Sequence, residues 1–401
     1  MKILQITQRF YPSTGGSQWA VYQLSKELAA LGHEVTVVTT TSMHNKDVRG
    51  FSMGRFFSLR SRMKKIAHEE EIDGFKVKRF TPLFQFWSYM ITPWMFFWLL
   101  WNVRKYDVIQ AHCYMFAEPD MAAIVSTISR KPFFLTAHDI ITPFKGVYSL
   151  IKRLYDWTIG KLTLSLCTRV ISDTPENTRQ YRDLRVPASK IKLIPLAVDI
   201  DPYLSFRPDP AFKKQHKLKK NVVLFVARLV PYKGAQYVVE AAPAILEKSP
   251  NTSFVFIGED QGYLKTLKEL AKDLGVDEDC HFMGKAPKND LLNSYAAANV
   301  FVLPSVGEGF GIVALEAKIM GTPTILASSG GLKYILDTSG GDSLDMTKDA
   351  SSQITKYVLH HLMDPDEALL EGQRQKESVL NKFTWKRTAQ QYEAIYQKFC
   401  R

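Results

Sequence analysis

Cysteine is scarce in this chain. Only four cysteines occur among 401 residues, at positions 113, 167, 280 and 400, and no two of them form a C-x-x-C pair. This scarcity argues against a disulfide framework or a structural zinc site and favours a reducing compartment. Met1 and Lys2 are followed at once by a strand-like segment instead of the apolar run of a secretory signal. We therefore expect no signal peptide and a cytoplasmic protein.

Acidic residues are under-represented in the first half of the chain. Residues 1–200 contain 27 Lys and Arg against 16 Asp and Glu, whereas residues 201–401 contain 25 against 24, so the first half carries almost all of the net charge of +12. A basic half can bind nucleic acid, an anionic membrane surface or acidic substrates. No motif of RNA or DNA binding accompanies it. We expect no nucleic-acid partner and favour membrane or lipid phosphate, with peripheral association at the inner face of the cell membrane.

Charged residues are absent from residues 83–101, a run dense in Phe and Trp that is long enough to span a bilayer. The segments before and after it, residues 3–7 and 107–111, read as strands of one sheet, and a single span would put them on opposite sides of a membrane. Pro93 also interrupts the run. We predict a core or crossover segment, with an interfacial hydrophobic patch as the alternative. Residues 46–65, basic and aromatic, form either a solvated loop or a surface for anionic lipid headgroups.

The rest of the composition is that of an ordinary globular protein. The chain is 46% hydrophobic and 23% charged, and 401 residues exceed one ordinary core, so two domains are expected. Strand-like and helix-like segments alternate in both halves, which predicts an α/β protein with two doubly wound parallel sheets. Four prolines and a run of lysines within residues 195–220 indicate the linker, and we place the boundary at 198/199.

Two features of the first half lie where such sheets bind ligands, at the carboxyl ends of strands. Gly15 and Gly16 form a turn between a predicted strand, residues 3–7, and a helix beginning at Gln18. The turn is not G-x-G-x-x-G, so a dinucleotide site is weakly supported. His138 follows a predicted strand at residues 133–136 and is a candidate ligand contact, although a lone histidine is more often structural.

The second half carries two cations and two carboxylates beside predicted turns. Arg228 ends a predicted strand and Lys233 precedes the following helix, an arrangement suited to a diphosphate if these are not merely helix-cap cations. A second strand, residues 300–303, runs into a turn with glycines at 307, 309 and 311, and a helix leaves it. Such a helix N-terminus offers N–H groups and a positive dipole end to a phosphate. Glu308 lies in the turn and Glu316 a little over two helical turns further on.

These motifs together resemble the retaining GT-B glycosyltransferases of family 4. Glu308 and Glu316 match the family's Glu-x7-Glu signature, residues 227–234 resemble its donor-phosphate motif, and Gly15-Gly16 resembles its opening motif. The likeness extends over essentially the whole chain. Three departures leave the sugar and acceptor open: Gln18 where Glu is common, Leu196-Ala197 in place of Asn-Gly, and the absence of Pro-Glu at the end of residues 330–334.

The resemblance implies a GT-B fold of two Rossmann-like domains facing a cleft. Residues 1–198 would form the acceptor side, residues 199–384 would bind the nucleotide sugar, and the closing helix, residues 385–401, would cross back onto the first domain. The implied reaction moves a hexose to an acceptor hydroxyl with retention of configuration. The acceptor would be a glycan or a lipid-linked acceptor, in glycolipid or cell-surface glycan biosynthesis. Alternatives are an epimerase or phosphorylase of the same fold, or a non-catalytic membrane-docking subunit.

The resemblance also implies a role for each site residue. The donor-binding residues are Arg228, Lys233 and the amides of Gly309, Phe310 and Gly311 on the diphosphate, and Glu316 on the ribose. Glu308 and His138 would position the donor sugar as the catalytic residues, and Gly15 and Gly16 would approach the donor phosphate or the acceptor. Asp199 and Asp201 form a D-x-D pair, which is common by chance and lies here in the linker. We therefore expect neither a metal nor a cofactor.

Overall fold

The computed structural model describes residues 1–13, 15–42, 66–86, 89–138 and 146–400. The predicted basic and aromatic surface at residues 46–65 lies outside these ranges. The chain divides into two compact units, Met1–Leu196 with Trp385–Arg401, and Ala197–Thr384. This division lies two residues from the boundary proposed at 198/199.

An eight-stranded sheet, with strands in the order β10-β9-β8-β7-β1-β2-β4-β3, forms the centre of the first unit. The strands are β1 Lys2–Ile6, β2 Glu34–Thr40, β3 Glu69–Ile72, β4 Phe75–Phe80, β7 Val108–His112, β8 Phe133–Thr136, β9 Arg169–Ser172 and β10 Ile191–Leu193; β5 Phe84–Phe86 and β6 Tyr89–Ile91 pair separately. All neighbours in the large sheet are parallel except β3 and β4. The strand order reverses direction between β1 and β7, and such a switch point is where doubly wound sheets bind ligands.

Helices cover the faces of this sheet because parallel strands are joined by crossover connections, and these connections are usually helices. In the first unit they are α1 Gly16–Ala30, α2 Pro93–Asn102, α3 Ala117–Ser129, α4 Val147–Trp157, α5 Ile159–Leu166, α6 Pro175–Asp183 and, at the end of the chain, α16 Trp385–Gln397. The last of these packs on α1. His33, which follows α1, contacts Glu393 of α16 through Nε2 at 3.0 Å.

The uncharged run at residues 83–101 forms β5, β6 and most of α2. Pro93 occupies the first turn of α2, where its missing N–H costs nothing. Met95 and Leu99 are fully buried, whereas Trp94 and Trp101 are 68% and 76% exposed. The segment is therefore a crossover in which one side of α2 packs into the core and the other side is an exposed apolar surface. No helix in the described part of the chain combines the length and apolar character needed to cross a bilayer.

The second unit contains a six-stranded, wholly parallel sheet in the order β13-β12-β11-β14-β15-β16. The strands are β11 Asn221–Val226, β12 Thr252–Ile257, β13 Cys280–Gly284, β14 Val300–Leu303, β15 Thr324–Ala327 and β16 Asp342–Leu344. The helices are α7 Asp201–Leu204, α8 Phe212–Gln215, α9 Ala235–Lys248, α10 Leu264–Asp273, α11 Lys288–Ala297, α12 Ile312–Ile319, α13 Gly330–Ser339, α14 Ala350–Met363 and α15 Pro365–Lys382. The switch point falls between β11 and β14. The loops that follow these two strands carry the predicted phosphate-binding residues.

Candidate functional site

The turn after β14 ends in a glycine that the backbone requires. Gly311 is the N-cap of α12 with φ of 100°, a left-handed conformation that side chains other than glycine rarely adopt. A Cβ placed there would also lie 2.5 Å from Leu332 Cδ2. The close approach of α13 and the positive φ therefore fix glycine at this position and direct α12 out of the turn.

The start of α13 supports the same turn from behind. The Gly331 N–H donates to the Glu308 carbonyl oxygen at 3.0 Å, and a Cβ on Gly331 would lie 2.3 Å from Phe310 Cα. The Phe310 ring is buried and packs edge-on against Phe383 with ring centroids 6.2 Å apart. Because this ring points into the unit, Phe310 can offer a ligand its backbone N–H and not its side chain.

Lys233 connects the turn after β11 to the turn after β14. Its Nζ lies 2.5 Å from Glu308 Oε2 and 3.3 Å from the Gly307 carbonyl oxygen, and the two side chains are only 8% and 18% exposed. Gly234, with φ of 82°, lets the chain pass close to Pro304, whose carbonyl oxygen would be 2.3 Å from a Cβ at Gly234. The predicted cation and the predicted carboxylate therefore form one buried pair.

Arg228 is the exposed cation of the same region. Its guanidinium donates to the Tyr232 hydroxyl at 3.0 Å and to Gln261 Oε1 at 3.3 Å. Tyr232 in turn lies beneath Lys233, whose Nζ is 5.2 Å from the ring centroid. Two neutral partners hold the guanidinium without neutralising its charge, so it remains available to an anion.

The backbone between these cations adds further donors. Within the described ranges, we find no hydrogen bond donated by the N–H groups of Gly309, Phe310 or Gly311. These groups lie at the N-terminal, positive end of α12. Two cations, these N–H groups and a helix N-terminus at the switch point of a parallel sheet are chemically suited to hold a phosphate-bearing ligand.

Glu316 lies on α12 with a different set of partners. Tyr295 donates to its Oε2 at 2.8 Å, and Tyr203 of α7 also hydrogen-bonds to it. Desolvation by burial raises the pKa of the Glu316 carboxyl, and the two tyrosine bonds oppose that rise only in part. The carboxylate is thus oriented by two phenols, an arrangement that sequence reasoning did not predict because all three residues are far apart in the chain.

His138, in the first unit, has a strained backbone and a fixed ring. Its φ is 52°, and Cys113 after the neighbouring strand has φ of 69°. The His138 Nδ1 lies 3.0 Å from Asp173 Oδ2, and its Nε2 lies 3.0 Å from His112 Nδ1. His112 Nε2 donates to Gln5 Oε1 at 2.6 Å, and burial followed by the His138 charge lowers the pKa of His112 well below its ordinary value. A sugar hydroxyl reaches a His138 ring nitrogen only by replacing one of these bonds.

Gly15 and Gly16 lie at the start of α1, beside the switch point of the first sheet. Both are exposed, and a Cβ on Gly16 would meet no atom within 4 Å. Gly15 has an extended backbone with φ of 169°, which any residue can adopt. The protein itself therefore does not require glycine at position 16, and the role of this turn beside the donor phosphate or the acceptor stays a prediction.

Two buried carboxyl groups of the first unit escaped sequence reasoning. Asp173 is 1% exposed and orients His138, and its Oδ1 has no hydrogen-bond partner within the described ranges. Glu118, at the start of α3, is fully buried; desolvation raises its pKa to about 8, and Gln8 donates to it at 3.4 Å. For Asp173 the available signal was its position directly after β9, whereas Glu118 lies inside α3. The described residues contain no group of three or more His, Cys, Asp and Glu that could hold a metal ion.

Models of two protein families match this chain. The family described as Glycosyltransferase Family 4 matches residues 14–202, and the family described as Glycosyl transferases group 1 matches residues 207–350. Together the two matches cover every strand of both sheets except β1, and they include every site residue predicted from the sequence.

Individual relatives agree with these matches. An uncharacterised glycosyltransferase of Methanocaldococcus jannaschii is 30% identical over 351 residues, covering 84% of this chain and 83% of the relative. The D-inositol 3-phosphate glycosyltransferase of Corynebacterium efficiens is 34% identical over 312 residues, covering 73% and 71%. The crystal structure of Anabaena Alr3699/HepE in complex with UDP has a TM-score of 0.73 at 20% identity, covering 99% and 100%. The GT-B fold predicted from the sequence is confirmed.

Proposed function

Because this chain belongs to glycosyltransferase family 4, we propose that it transfers a hexose from a nucleotide-sugar donor to an acceptor hydroxyl with retention of anomeric configuration. The observation that carries the proposal is the anion site of the second unit. Lys233, Arg228 and the free N–H groups of residues 309–311 surround the switch point between β11 and β14. The diphosphate of the donor binds there, and the similarity to a protein crystallised with UDP supports this choice of ligand.

The same residues suit the departure of a nucleoside diphosphate. As the bond between the anomeric carbon and the phosphate oxygen breaks, negative charge grows on the diphosphate, and positioned cations and N–H groups stabilise it. The acceptor oxygen bonds to the anomeric carbon from the same face, and its proton passes to the departing phosphate oxygen. No protein nucleophile is required. Glu308, held by Lys233, positions the donor sugar.

The charges of this site remove the need for a metal ion on the diphosphate. We expect the transfer rate to be unchanged by EDTA and to change by less than about twofold on adding Mg²⁺, because Arg228 and Lys233 take the role that a metal would otherwise have. The measurement is product formation with chelator, with chelator plus Mg²⁺, and with neither. Loss of activity in EDTA that Mg²⁺ restores would refute this part of the proposal.

Glu316 is proposed to accept hydrogen bonds from the donor ribose. Its replacement by alanine should weaken binding of the nucleotide sugar by about tenfold or more, the effect of losing hydrogen bonds to a charged group. Burial raises the pKa of Glu316. Acidification through this raised pKa protonates the carboxyl and should weaken donor binding, whereas the Glu316→Gln variant should lack that pH dependence. Titration calorimetry across pH measures both effects, and Lys333→Ala, on the exposed face of α13, serves as the control.

The acceptor is a glycan or a lipid-linked acceptor, and the protein associates peripherally with an anionic membrane surface as part of glycolipid or cell-surface glycan synthesis. The basic first half and the exposed apolar face of α2 support this choice. Neither observation depends on the anion site of the second unit.

A donor panel tests the proposed function. We expect one of the UDP-, GDP- or ADP-sugars to raise the melting temperature and to be slowly hydrolysed without acceptor. In the product, the anomeric carbon should keep the configuration it had in the donor, as coupling constants in NMR will report. No stabilisation by any nucleotide sugar would overturn the proposal. Binding without hydrolysis or transfer would identify a non-catalytic subunit.

A further inference from the structure

Large apolar side chains are exposed on four helices of the first unit. They form stripes at helical spacing along α2 and α4, and they continue on α3 and α5. The exposed members are Trp94, Phe97 and Trp101 on α2, Ile124 and Ile128 on α3, Leu150, Leu154 and Trp157 on α4, and Ile159 and Leu162 on α5. Their exposed fractions run from 43% at Ile124 to 76% at Trp101. We call these ten side chains the apolar face.

The four helices are neighbours. α2 packs on α3, α3 packs on α5, and α5 packs on α4. Each also buries its opposite side, with Met95 and Leu99 of α2 and Leu164 of α5 in the core. The exposed side chains are therefore not left over from poorly packed helices. Soluble proteins seldom expose this much clustered apolar surface without a partner.

Acidic groups on these helices are all turned away from solvent. Glu118 is fully buried. Asp120 accepts hydrogen bonds from Tyr89, from Tyr155 at 2.9 Å and from Thr163 at 2.6 Å.

Asp156, the third acid, is engaged in the same way. It accepts from Tyr114 at 3.0 Å and pairs with Lys152 at 2.5 Å. The four helices contain no other Asp or Glu. The three carboxylates of these four helices are thus engaged by neighbouring side chains or buried, and none of them is an exposed negative charge.

The exposed charges on these four helices, or directly after them, are positive. They are Arg104 and Lys105 just after α2, Arg130 after α3, Arg153 on α4 and Lys161 on α5. Two copies of this face would bring these cations together, and repulsion between like charges opposes such a dimer. A partner surface with both apolar and anionic groups can pack against the exposed rings and pair with the exposed cations.

We infer that the apolar face docks the first unit onto an anionic lipid bilayer. The three tryptophans of the face, Trp94, Trp101 and Trp157, enter the interfacial region, where amphipathic aromatic rings are favoured, and the cations meet lipid phosphates. The inference deepens the proposed membrane association by naming the surface that performs it, and it does not depend on the proposed reaction. The occupant is the bilayer itself and not a single lipid in a pocket.

Vesicle flotation tests the inference with the full chain and without any nucleotide sugar. The wild-type protein should float with phosphatidylcholine vesicles that contain about one third phosphatidylglycerol, and it should not float with phosphatidylcholine alone. High salt should weaken the binding. The variant Leu154→Ser/Trp157→Ser should bind the anionic vesicles about tenfold more weakly or worse, because it removes apolar contacts from an otherwise unchanged helix.

Two further variants separate the apolar face from general effects. Arg153→Glu/Lys161→Glu should also lose binding by about tenfold or more, since it reverses two exposed charges near the lipid phosphates. Leu369→Ser/Leu370→Ser, at exposed positions of α15 in the second unit, should bind as the wild type does. A melting temperature equal to that of the wild type shows that each variant has folded.

Three results would overturn the inference. The wild-type protein could fail to float with anionic vesicles. Alternatively, Leu154→Ser/Trp157→Ser and Arg153→Glu/Lys161→Glu could both float as the wild type does. Light scattering could also show a wild-type oligomer that Leu154→Ser/Trp157→Ser converts to a monomer, which would make the face a contact between protein chains. Loss of flotation with intact hydrolysis concerns this surface alone, whereas loss of hydrolysis with intact flotation concerns the proposed reaction.

Discussion

The Lys233→Met variant should transfer sugar about two to three orders of magnitude more slowly than the wild-type protein. Lys233 is the buried cation of the anion site, and removing one charged donor from a preorganised site typically has an effect of this size. The measurement is kcat and KM with the nucleotide sugar identified by the donor panel. Lys248→Met, at an exposed position of the following helix, should leave both constants unchanged.

A second effect of Lys233→Met must be separated from the first. The variant leaves the Glu308 carboxylate, which is only 18% exposed, without its partner, and a lone buried charge destabilises a fold. The double variant Lys233→Met/Glu308→Gln removes that charge as well. We expect it to recover most of the lost melting temperature but none of the lost activity. Activity of either variant within a few-fold of the wild type would mean that Lys233 does not bind the donor.

The Gly331→Ala variant should lose donor affinity by about tenfold or more although position 331 touches no ligand in the proposed site. Its added Cβ would lie 2.3 Å from Phe310 Cα and 2.5 Å from the Gly309 carbonyl oxygen, so the turn must move. Displaced N–H groups no longer converge on the diphosphate. Overpacking against backbone should also lower the free energy of unfolding by about 1–3 kcal/mol. Calorimetric titration and thermal unfolding measure the two effects.

Two comparisons make this result interpretable. Lys333→Ala, two residues further along α13 on its exposed side, should change neither affinity nor stability by much. Binding of the donor by Gly331→Ala with wild-type affinity would show that the position of residues 309–311 does not matter, and the N–H groups would then have no role in the site. Gly331 carries no positive φ, so the substitution tests space and not backbone strain.

Local pattern was enough to predict the two parallel sheets. Near-continuous apolar runs such as Val300–Leu303 are typical of parallel strands buried on both faces, and glycine-rich turns follow them where ligands bind. The sequence therefore predicted two doubly wound sheets and located the turns after β11 and β14. The family resemblance supplied the GT-B architecture, and the comparisons confirm both the fold and the family.

Contacts between residues that are distant in the chain cannot be predicted from such local patterns. Lys233 and Glu308 were assigned to the diphosphate and the sugar separately, yet they form one ion pair across 75 residues of sequence. The Asp173 and His112 contacts of His138 likewise depend on the order of strands β7, β8 and β9 in the sheet. Periodicity along one strand or helix carries no information about which neighbour it will meet.

The apolar face shows a different limit. The run at residues 83–101 was recognised as unusual, but composition could not separate Met95, which is buried, from Trp101, which is 76% exposed. The division depends on which side of α2 the sheet covers. The charge bias of the first half is visible in the sequence, whereas the inward position of Asp120 and Asp156 is visible only in the structure.

We propose above all that the second unit binds a diphosphate at the switch point of its sheet. A crystal structure of the protein with its nucleotide sugar tests it most directly. We predict phosphate oxygens within hydrogen-bonding distance of the Arg228 guanidinium, Lys233 Nζ and the N–H groups of residues 309–311, with a ribose hydroxyl on Glu316. A nucleotide bound elsewhere, or at this place with Arg228 and Lys233 directed away from its phosphates, would contradict the account.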